Sequence, residues 1–180
     1  TARATEEPAP AAAPVPPKPQ TIILLVIGID GAGKTTLLRT LQGDMDSQTK
    51  PSHGFKHVTM VLDEHRKVKF YDLGGNPKIR GIWKNYFHDV HGVVYLVDGH
   101  TPDRYEEAVE QYKSTFEHKY LQDKPRLVLV TKEDLGWAKP GGPDAVAADL
   151  GAANGEDLQI SGLVARGANS GGAPDPRLDE

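Results

Sequence analysis

The sequence predicts an α/β fold built on a doubly wound, mostly parallel sheet. Apolar runs of strand length alternate with helix-like segments along the chain, which is the pattern of βαβ units. Polar and glycine-rich motifs follow several of these runs, and parallel sheets bind ligands at the carboxyl ends of their strands. With 180 residues, 38% of them hydrophobic, the chain is large enough for one domain with a substantial core.

The two ends of the chain differ in composition from its centre, so we expect one domain over 21–165. Residues 1–20 are rich in Ala, Pro and Glu and contain little to bury, which predicts a disordered or extended lead segment. Residues 166–180 form a tail rich in Gly, Pro and Asp. Because the sequence starts at Thr1, it leaves N-terminal lipidation and membrane association undecided.

Charge and cysteine content exclude several classes of function. The formal charge of −4 is spread along the chain without an acidic or basic block, which argues against nucleic acid as a partner. The chain has no cysteine, which fits a reducing compartment. Its longest apolar run is far shorter than a membrane span, so we expect a soluble, cytoplasmic protein.

The first apolar run predicts a phosphate-binding loop. Residues 22–27 read as a short strand buried on both faces and lead into Gly28-x-x-x-x-Gly33-Lys34-Thr35. In such a loop successive backbone N–H groups wrap a polyphosphate, and glycines let the backbone come close. Lys34 would reach the terminal phosphates, Thr35 would offer a hydroxyl to Mg²⁺, and a helix predicted at 36–42 would direct its N-terminus at the anion. An ordinary glycine turn would not require all these parts in order, so the stretch predicts a nucleoside triphosphate site.

A second part of the same site follows a predicted β-hairpin. Strand-like runs at 56–62 and 67–71 flank a charged turn, and the second run ends on Asp72-Leu73-Gly74-Gly75. A carboxylate at the end of a strand beside the phosphate loop can hold Mg²⁺ through water, and the Gly75 N–H can meet the terminal phosphate. Taken alone this motif is an ordinary strand-ending turn. Beside the phosphate loop, it predicts a nucleotide contact.

The remaining elements continue the alternation of strands and helices. Apolar residues at helical spacing predict a short amphipathic helix within 76–88. Thr101-Pro102-Asp103 supplies a cap for a helix at 104–120. The other predicted elements are strands at 92–97, 127–130 and 157–160, and a helix at 143–150.

Three motifs resemble those of the ADP-ribosylation factor (Arf) family of small GTPases. GIDGAGKTTLL is similar to the Arf phosphate loop, including Asp30 where Ras-like relatives have glycine. PSHGF is similar to the first switch, and YDLGGNPKIRGIWKNYF to the second switch and its helix. The resemblance runs from about 21 to 135, and the run 80–86 is especially similar to a ciliary branch, the thirteenth numbered Arf-like protein.

The resemblance implies a P-loop small-GTPase fold and a slow GTP-hydrolysing switch that recruits effectors in its GTP state. Its cofactors would be GTP or GDP and Mg²⁺. The residues implied to bind nucleotide are Asp30, Gly31, Ala32, Gly33, Lys34, Thr35, Thr36 and Gly75 at the phosphates, and Thr131, Lys132, Asp134, Ser161 and Gly162 at guanine. A separate physical argument supports Asp134, because a carboxylate offers two acceptors that match the two donors of guanine.

The resemblance also assigns a metal site and a partner surface. Mg²⁺ would be held by Thr35, by Ser52 and, through water, by Asp72. The effector surface would be an aromatic patch at the switches, formed by Phe55, Tyr71 and Tyr86.

The chain departs from the family pattern at four places. Asn76 stands where the family has a water-orienting glutamine; it is one methylene shorter, and Pro77 restricts its backbone. Ser52 replaces a threonine and keeps the hydroxyl. Thr131 replaces an asparagine, which would lower guanine-nucleotide affinity by about 1 to 2 kcal/mol for each hydrogen bond lost. The tail at 166–180 replaces the last amphipathic helix, so that helix is absent or atypical, or another protein covers its face.

These departures bear on catalysis and keep an alternative to the GTPase switch open. Asn76, with Lys34, is the candidate for catalysis, and its short reach predicts slow hydrolysis. The alternative is a nucleotide-locked scaffold component of a larger, ciliary assembly. A kinase acting on small molecules would need an arginine-rich lid, which the sequence does not show.

Overall fold

The sheet of this computed structural model carries strands from both halves of the chain. The structure describes residues 20–43, 54–137, 139–151 and 158–163, the last range as backbone only. Within those ranges six strands lie in the order β2-β3-β1-β4-β5-β6, and every neighbouring pair except β2 with β3 is parallel. The strands are β1 Gln20–Ile27, β2 Phe55–Val61, β3 Arg66–Leu73, β4 Gly92–Asp98, β5 Arg126–Thr131 and β6 Leu158–Leu163. The predicted fold class is confirmed.

The helices are short and cover both faces of the sheet. Three α-helices are described, α1 Lys34–Leu41, α2 Tyr105–Phe116 and α3 Gly142–Asp149. Three 3₁₀ turns are also described: Arg80–Asn85 lies between β3 and β4, Pro102–Arg104 precedes α2, and Glu133–Leu135 lies between β5 and α3. Among these helices none is long and apolar enough to cross a membrane.

The core has two parts, one on each face of the sheet. On one face α2 and α3 pack side chains such as Tyr112 and Val146 against Leu25 and Val97 of the sheet. On the other, Leu37 and Leu38 of α1 pack against the opposite side chains of the same strands. Strand β4 is buried along its whole length, whereas only the last three residues of β1 are buried. The expectation that the first strand is buried on both faces therefore holds only where it enters the loop.

The predicted amphipathic helix within 76–88 is the clearest error in the sequence analysis. That segment forms only the 3₁₀ turn Arg80–Asn85. Pro77 and Gly81 both disfavour a continuous helix. In addition, Asn76 Oδ1 accepts the Lys78 N–H at 3.0 Å, and the indole N–H of Trp83 donates to Gly74 O at 3.0 Å. The Asn76 bond is local to the start of the turn, and the Trp83 bond ties the segment to the chain just after β3.

Two other boundaries differ from the predictions. Helix α2 begins at Tyr105 and ends at Phe116, and the Thr101 hydroxyl donates to Asp98 at 2.9 Å instead of capping a helix. Strand β6 does not end at residue 160 but continues through Leu163, because its backbone keeps pairing with β5 as far as Thr131. Residues 1–19, which include most of the lead segment, and the tail at 166–180 lie outside the described residues.

Candidate nucleotide-binding site

The loop between β1 and α1 has the backbone conformation that its glycines predict. Gly28, Gly31 and Gly33 have φ angles of 146°, 82° and 87°, which side-chain-bearing residues rarely adopt. A Cβ on Gly28 would lie 2.4 Å from the Leu96 carbonyl oxygen of β4. The loop is therefore packed tightly against β4 at Gly28, and it has backbone without side chains at its three glycines.

Lys34 lies beneath this loop and is almost fully buried. Its Nζ donates to Gly28 O at 2.9 Å and to Ile29 O at 2.8 Å. Burial lowers the pKa of Lys34 to about 8, against the opposing effect of the carboxylates of Asp72 and Asp30. A cation held out of water in this way gains strongly from a polyanion placed in the loop.

A hydroxyl and a carboxylate meet next to Lys34. Thr35 Oγ1 donates to Asp72 Oδ2 at 3.2 Å, and Asp72 is buried near the carboxyl end of β3. Hard oxygen donors of this kind are the ligands Mg²⁺ prefers, usually with several waters and substrate phosphates completing the shell. The two predicted ligands thus fit the metal, and the third, Ser52, lies outside the described residues.

The glycine pair after β3 lies directly against the phosphate loop. A Cβ built on Gly75 would lie 2.3 Å from the Asp30 backbone nitrogen and 2.4 Å from Gly28 O. Gly74 donates its N–H to Gly54 O at 3.0 Å. No other residue type fits at position 75 without moving one of these segments. Asn76 follows, and its side-chain oxygen is engaged with Lys78, as described above.

On the other side of the loop, Thr131 connects β5 to the phosphate loop. Its buried hydroxyl lies 3.0 Å from Ala32 O and 3.2 Å from Val97 O, so its single proton is donated to one of these carbonyls. Its methyl group lies 3.6 Å from the position of a Cβ on Gly33. Thr131 therefore supports the loop, whatever contact it makes with a base.

The next residues take an unusual backbone conformation. Lys132 has φ 61°, the one positive φ at a non-glycine residue among those described. Its Nζ donates to Asp98 Oδ2 at 2.6 Å. Burial alone would raise the pKa of Asp98, but the hydrogen bond from Lys132 and those from His100 and Thr101 lower it overall. Asp134 lies two residues after Lys132 in the 3₁₀ turn and is exposed. Its carboxylate is therefore accessible to a ligand.

Ser161 and Gly162 do not form a loop beyond the last strand. They pair with Leu129 and Val130 inside the β5–β6 ladder, and the residue level with Thr131 is Leu163. Leu163 is therefore nearer than either of them to the end of the sheet where Lys132 and Asp134 lie. Whether their amides reach guanine stays a prediction.

Sequence reasoning missed an ionic cluster beside the loop. Arg104 Nη2 donates to Asp30 Oδ1 at 2.9 Å, and Arg80 Nε donates to Gly75 O at 2.6 Å. Glu107 accepts from both arginines. The hydrogen bond from Arg104 is the main reason why the pKa of Asp30 is lowered. These residues are too far apart in sequence for their spacing to predict the cluster. The one available indication was Asp30 itself, because a carboxylate in an anion-binding loop requires a cation nearby.

The three predicted aromatic residues do form one patch. The ring centroids of Phe55 and Tyr86 are 5.0 Å apart and stacked. Tyr71 meets Phe55 edge-on at 5.1 Å and Tyr86 at 5.7 Å. Phe55 is 40% exposed, so part of this patch faces solvent.

This fold and site define a phosphate-binding-loop protein of the α/β class, with a buried lysine, a hydroxyl–carboxylate pair and a switch-like glycine pair around one loop. The profile of the ADP-ribosylation factor family matches residues 15–160. The chain belongs to that family, and it is a GTP-binding protein of the Arf type.

Individual relatives agree with this assignment. The chain is 40% identical over 119 residues to "ADP-ribosylation factor-like protein 13B" of Chlamydomonas reinhardtii, covering 66% of this chain and 22% of that protein. It is 37% identical over 107 residues to the protein of the same name in Caenorhabditis elegans, covering 59% and 29%. It is also 33% identical over 130 residues to the "E3 ubiquitin-protein ligase arc-1" of that organism, covering 71% and 24%. The chain thus spans less than a third of the length of each of these relatives.

A solved structure agrees with the fold. The Arl6 BBS3 small GTPase of Trypanosoma brucei, with the bound nucleotide analogue GppNp, superposes with a TM-score of 0.68 at 18% sequence identity. The superposition covers 81% of this chain and 88% of that one. At this identity the similarity establishes the shared fold.

Proposed function

We propose that this chain is a slow GTP-hydrolysing switch that binds GTP with Mg²⁺ and recruits effectors in the GTP state. The buried Lys34 ammonium on the loop carbonyls carries the proposal, because burial of a cation is costly and a polyanion bound in the loop would offset that cost. Thr35 and Asp72, one hydrogen bond apart, would hold Mg²⁺. When bound, Mg²⁺ would neutralise charge on the terminal phosphates.

The chain's own residues would act by position rather than by covalent chemistry. Lys34 would exchange its bonds to Gly28 and Ile29 for bonds to phosphate oxygens. Gly75, already against the loop, would offer its N–H to the terminal phosphate. Asp134 would accept the ring N–H and amino group of guanine. Asp134 would fix the position of the nucleotide, while Lys34 and Gly75 would also stabilise charge that develops on the terminal phosphate; positioning and charge stabilisation are how phosphoryl transfer is accelerated.

Nucleotide choice tests the proposal directly. The protein is freed of nucleotide and titrated with fluorescent GTP and ATP in Mg²⁺; we expect GTP to bind more tightly. Asp134→Asn should weaken GTP binding and reduce the difference in affinity between GTP and other purine nucleotides. The reason is that the amide presents a donor where guanine also has a donor. Glu133→Gln, one residue away, is the matched control. Equal affinity for ATP and GTP in the unmutated protein would refute the guanine assignment.

A nucleotide-locked scaffold is the second candidate, and the contact of Asn76 favours it. Because Asn76 Oδ1 accepts from Lys78 within its own turn, it is not directed at an attacking water. We expect single-turnover hydrolysis no faster than the unassisted rate of small GTPases, on the order of 10⁻⁴ to 10⁻³ per second, and little change in Asn76→Ala. Undetectable hydrolysis with no nucleotide exchange would favour the scaffold. A fast enzyme that is crippled by Asn76→Ala would refute both expectations.

Partners and location extend the proposal. The patch of Phe55, Tyr71 and Tyr86 would be the effector surface. A larger assembly would cover the face on which the last amphipathic helix of the family would pack. The likeness of 80–86 to the ciliary Arf-like branch favours a ciliary location. Imaging the tagged protein beside an axonemal marker tests this, and an even cytoplasmic signal would speak against it.

A further inference from the structure

Four charged side chains bridge the phosphate loop, the second switch and helix α2. Asp30 lies in the loop, Arg80 begins the 3₁₀ turn after the glycine pair, Arg104 ends the turn before α2, and Glu107 is in the first turn of α2. We refer to these four as the bridging cluster. The bridging cluster lies outside the predicted metal and base sites. Of its four members, only Asp30 belongs to the predicted phosphate site.

Arg104 links Glu107 of α2 to Asp30 of the phosphate loop. Arg104 donates to Asp30 Oδ1 at 2.9 Å and to Asp30 O at 3.3 Å. Its Nε donates to Glu107 Oε2 at 2.8 Å. Burial would raise the pKa of Glu107, but the hydrogen bonds from Arg80 and Arg104 lower it overall. Both carboxylates are thus held ionised between two guanidinium groups.

Arg80 is the member of the bridging cluster that contacts the glycine pair. Its side chain is only 11% exposed, and its planar fork serves several acceptors at once. Nε donates to Gly75 O at 2.6 Å, Nη1 to Gln111 Oε1 at 3.3 Å, and Nη2 to Glu107. The same Nη2 lies 3.6 Å from Asp30 Oδ1. A lysine could not make these contacts together, because it carries a single point donor group.

The Gly75 carbonyl is the point at which this cluster acts on the site. That carbonyl and the Asn76 N–H belong to one planar peptide, so fixing the oxygen fixes the direction in which the chain enters the second switch. Gly75 itself has no room for a side chain against the loop, since a Cβ built on it would lie 2.3 Å from the Asp30 backbone nitrogen. Without the Arg80 guanidinium the Gly75 carbonyl loses this hydrogen bond, and the glycine pair becomes freer to move away from the loop and from the place a terminal phosphate would take.

We propose that Arg80 is a positioning residue for the nucleotide response, which couples the Gly75 peptide to Asp30 of the phosphate loop and Glu107 of α2. Building on the proposed function, the coupling holds the second switch closed on a nucleoside triphosphate. A diphosphate lacks the terminal phosphate that Gly75 would meet. Loss of the cluster should therefore speed release of triphosphate much more than release of diphosphate.

The test compares the release of two nucleotides. The unmutated protein, Arg80→Met, Arg80→Lys and Glu107→Gln are loaded with a fluorescent, non-hydrolysable GTP analogue or with fluorescent GDP in Mg²⁺, and release is followed after adding excess unlabelled nucleotide. For Arg80→Met we expect the ratio of triphosphate to diphosphate release rates to rise roughly tenfold, within the five- to 150-fold range of typical couplings. In Arg80→Lys the ratio should rise less, because lysine keeps the positive charge but lacks the planar guanidinium fork.

Glu107→Gln keeps the test decisive if Arg80→Met does not fold. It is nearly isosteric and partly exposed, and it weakens the hold on Arg80 without touching Gly75, so the ratio should rise in the same direction. Arg66→Gln is the control, because Arg66 pairs with Asp63 in the exposed hairpin turn and should leave the ratio unchanged.

The outcomes separate this inference from the proposed function. Equal acceleration of both nucleotides, or no change, in Arg80→Met and Glu107→Gln would show a merely structural role and overturn the inference. In that case the unmutated protein still binds guanine nucleotide, and the proposed function stands. Absence of Mg²⁺-dependent binding in the unmutated protein would overturn both.

Discussion

At the scale of single residues, Gly75 is required by the space around it. Gly75→Ala would place a Cβ 2.3 Å from the Asp30 nitrogen, so the second switch must move off the loop. We expect binding of a GTP analogue to weaken by about tenfold or more, on the scale of a lost charge-assisted hydrogen bond, with a smaller loss for GDP. Gly81→Ala is the matched control, because nothing lies within 4 Å of its Cβ. Equal losses in the two variants, measured by equilibrium titration, would contradict this reading.

Lys34 illustrates a residue that lowers stability while serving function. Because the pKa of Lys34 is lowered to about 8 from 10.5, the folded protein binds fewer protons than the unfolded chain between those values. Its stability therefore rises with pH across this window, and below pH 8 the full penalty of the buried charge is present. At pH 7 we expect Lys34→Met to raise the unfolding free energy of the nucleotide-free protein by about 1 kcal/mol or more, and to abolish triphosphate binding.

Urea unfolding at pH 7 and pH 9.5 checks the sign. The gain from Lys34→Met should shrink at the higher pH, where the unmutated lysine is already neutral in the folded state. Arg39→Met in the same helix controls for the loss of a cation from α1. A Lys34→Met protein that is less stable at both pH values would show that the hydrogen bonds to Gly28 and Ile29 outweigh the cost of burial.

At the scale of elements, the second switch is the segment that should move with nucleotide. Trp83 anchors it through the bond to Gly74 O at 3.0 Å, next to the glycine pair. We expect exchange of GDP for a GTP analogue to change the intrinsic fluorescence, because the environment of this indole changes with the switch. The change should vanish in Trp83→Phe and persist in Trp137→Phe. If instead Trp137→Phe removes the signal, the response lies near the base-binding end of the sheet.

The elements also show where local pattern was sufficient. The hairpin of β2 and β3, the buried run of β4 and the loop before α1 were predicted within a few residues, because each is specified by alternation, apolar runs or glycine spacing. The segment 76–88 was not. Its apolar residues have helical spacing, but Pro77, Gly81 and the tertiary bond of Trp83 outweigh a weak local preference.

At the scale of the whole molecule, bound nucleotide and Mg²⁺ should contribute measurably to stability. A ligand that binds only the folded state, present at about 1,000 times its dissociation constant, adds about 4 kcal/mol. We expect the melting temperature in GDP and Mg²⁺ to fall when EDTA is added, together with faster nucleotide release. In Asp72→Asn the response to EDTA should be smaller, since one predicted metal partner is neutralised. An unmutated protein that is indifferent to EDTA would contradict the metal assignment at Thr35 and Asp72.

The sequence alone was enough to predict the fold class, the phosphate loop and the aromatic patch. The fold class and the loop depend on short-range information: glycines at fixed spacing, a strand before a helix, and apolar residues at a constant period. The aromatic patch was predicted from the resemblance of the two switch motifs to the Arf family. Thr131 and Asp134 were predicted from the resemblance to the guanine motif of the Arf family, and Asp134 also from the match between a carboxylate and the two donors of guanine. Their contacts with a base stay predictions.

Only the tertiary structure decided how the second switch is held. Arg80 and Asp30 are fifty positions apart, and Arg104 and Glu107 lie on a third segment; no local pattern ties such charges together. The parallel crossovers bring their segments to one edge of the sheet, where Arg80 is largely buried among its three acceptors. The extension of β6 through Leu163 has the same origin, since it depends on continued pairing with β5 and not on the propensity of Ser161 or Gly162.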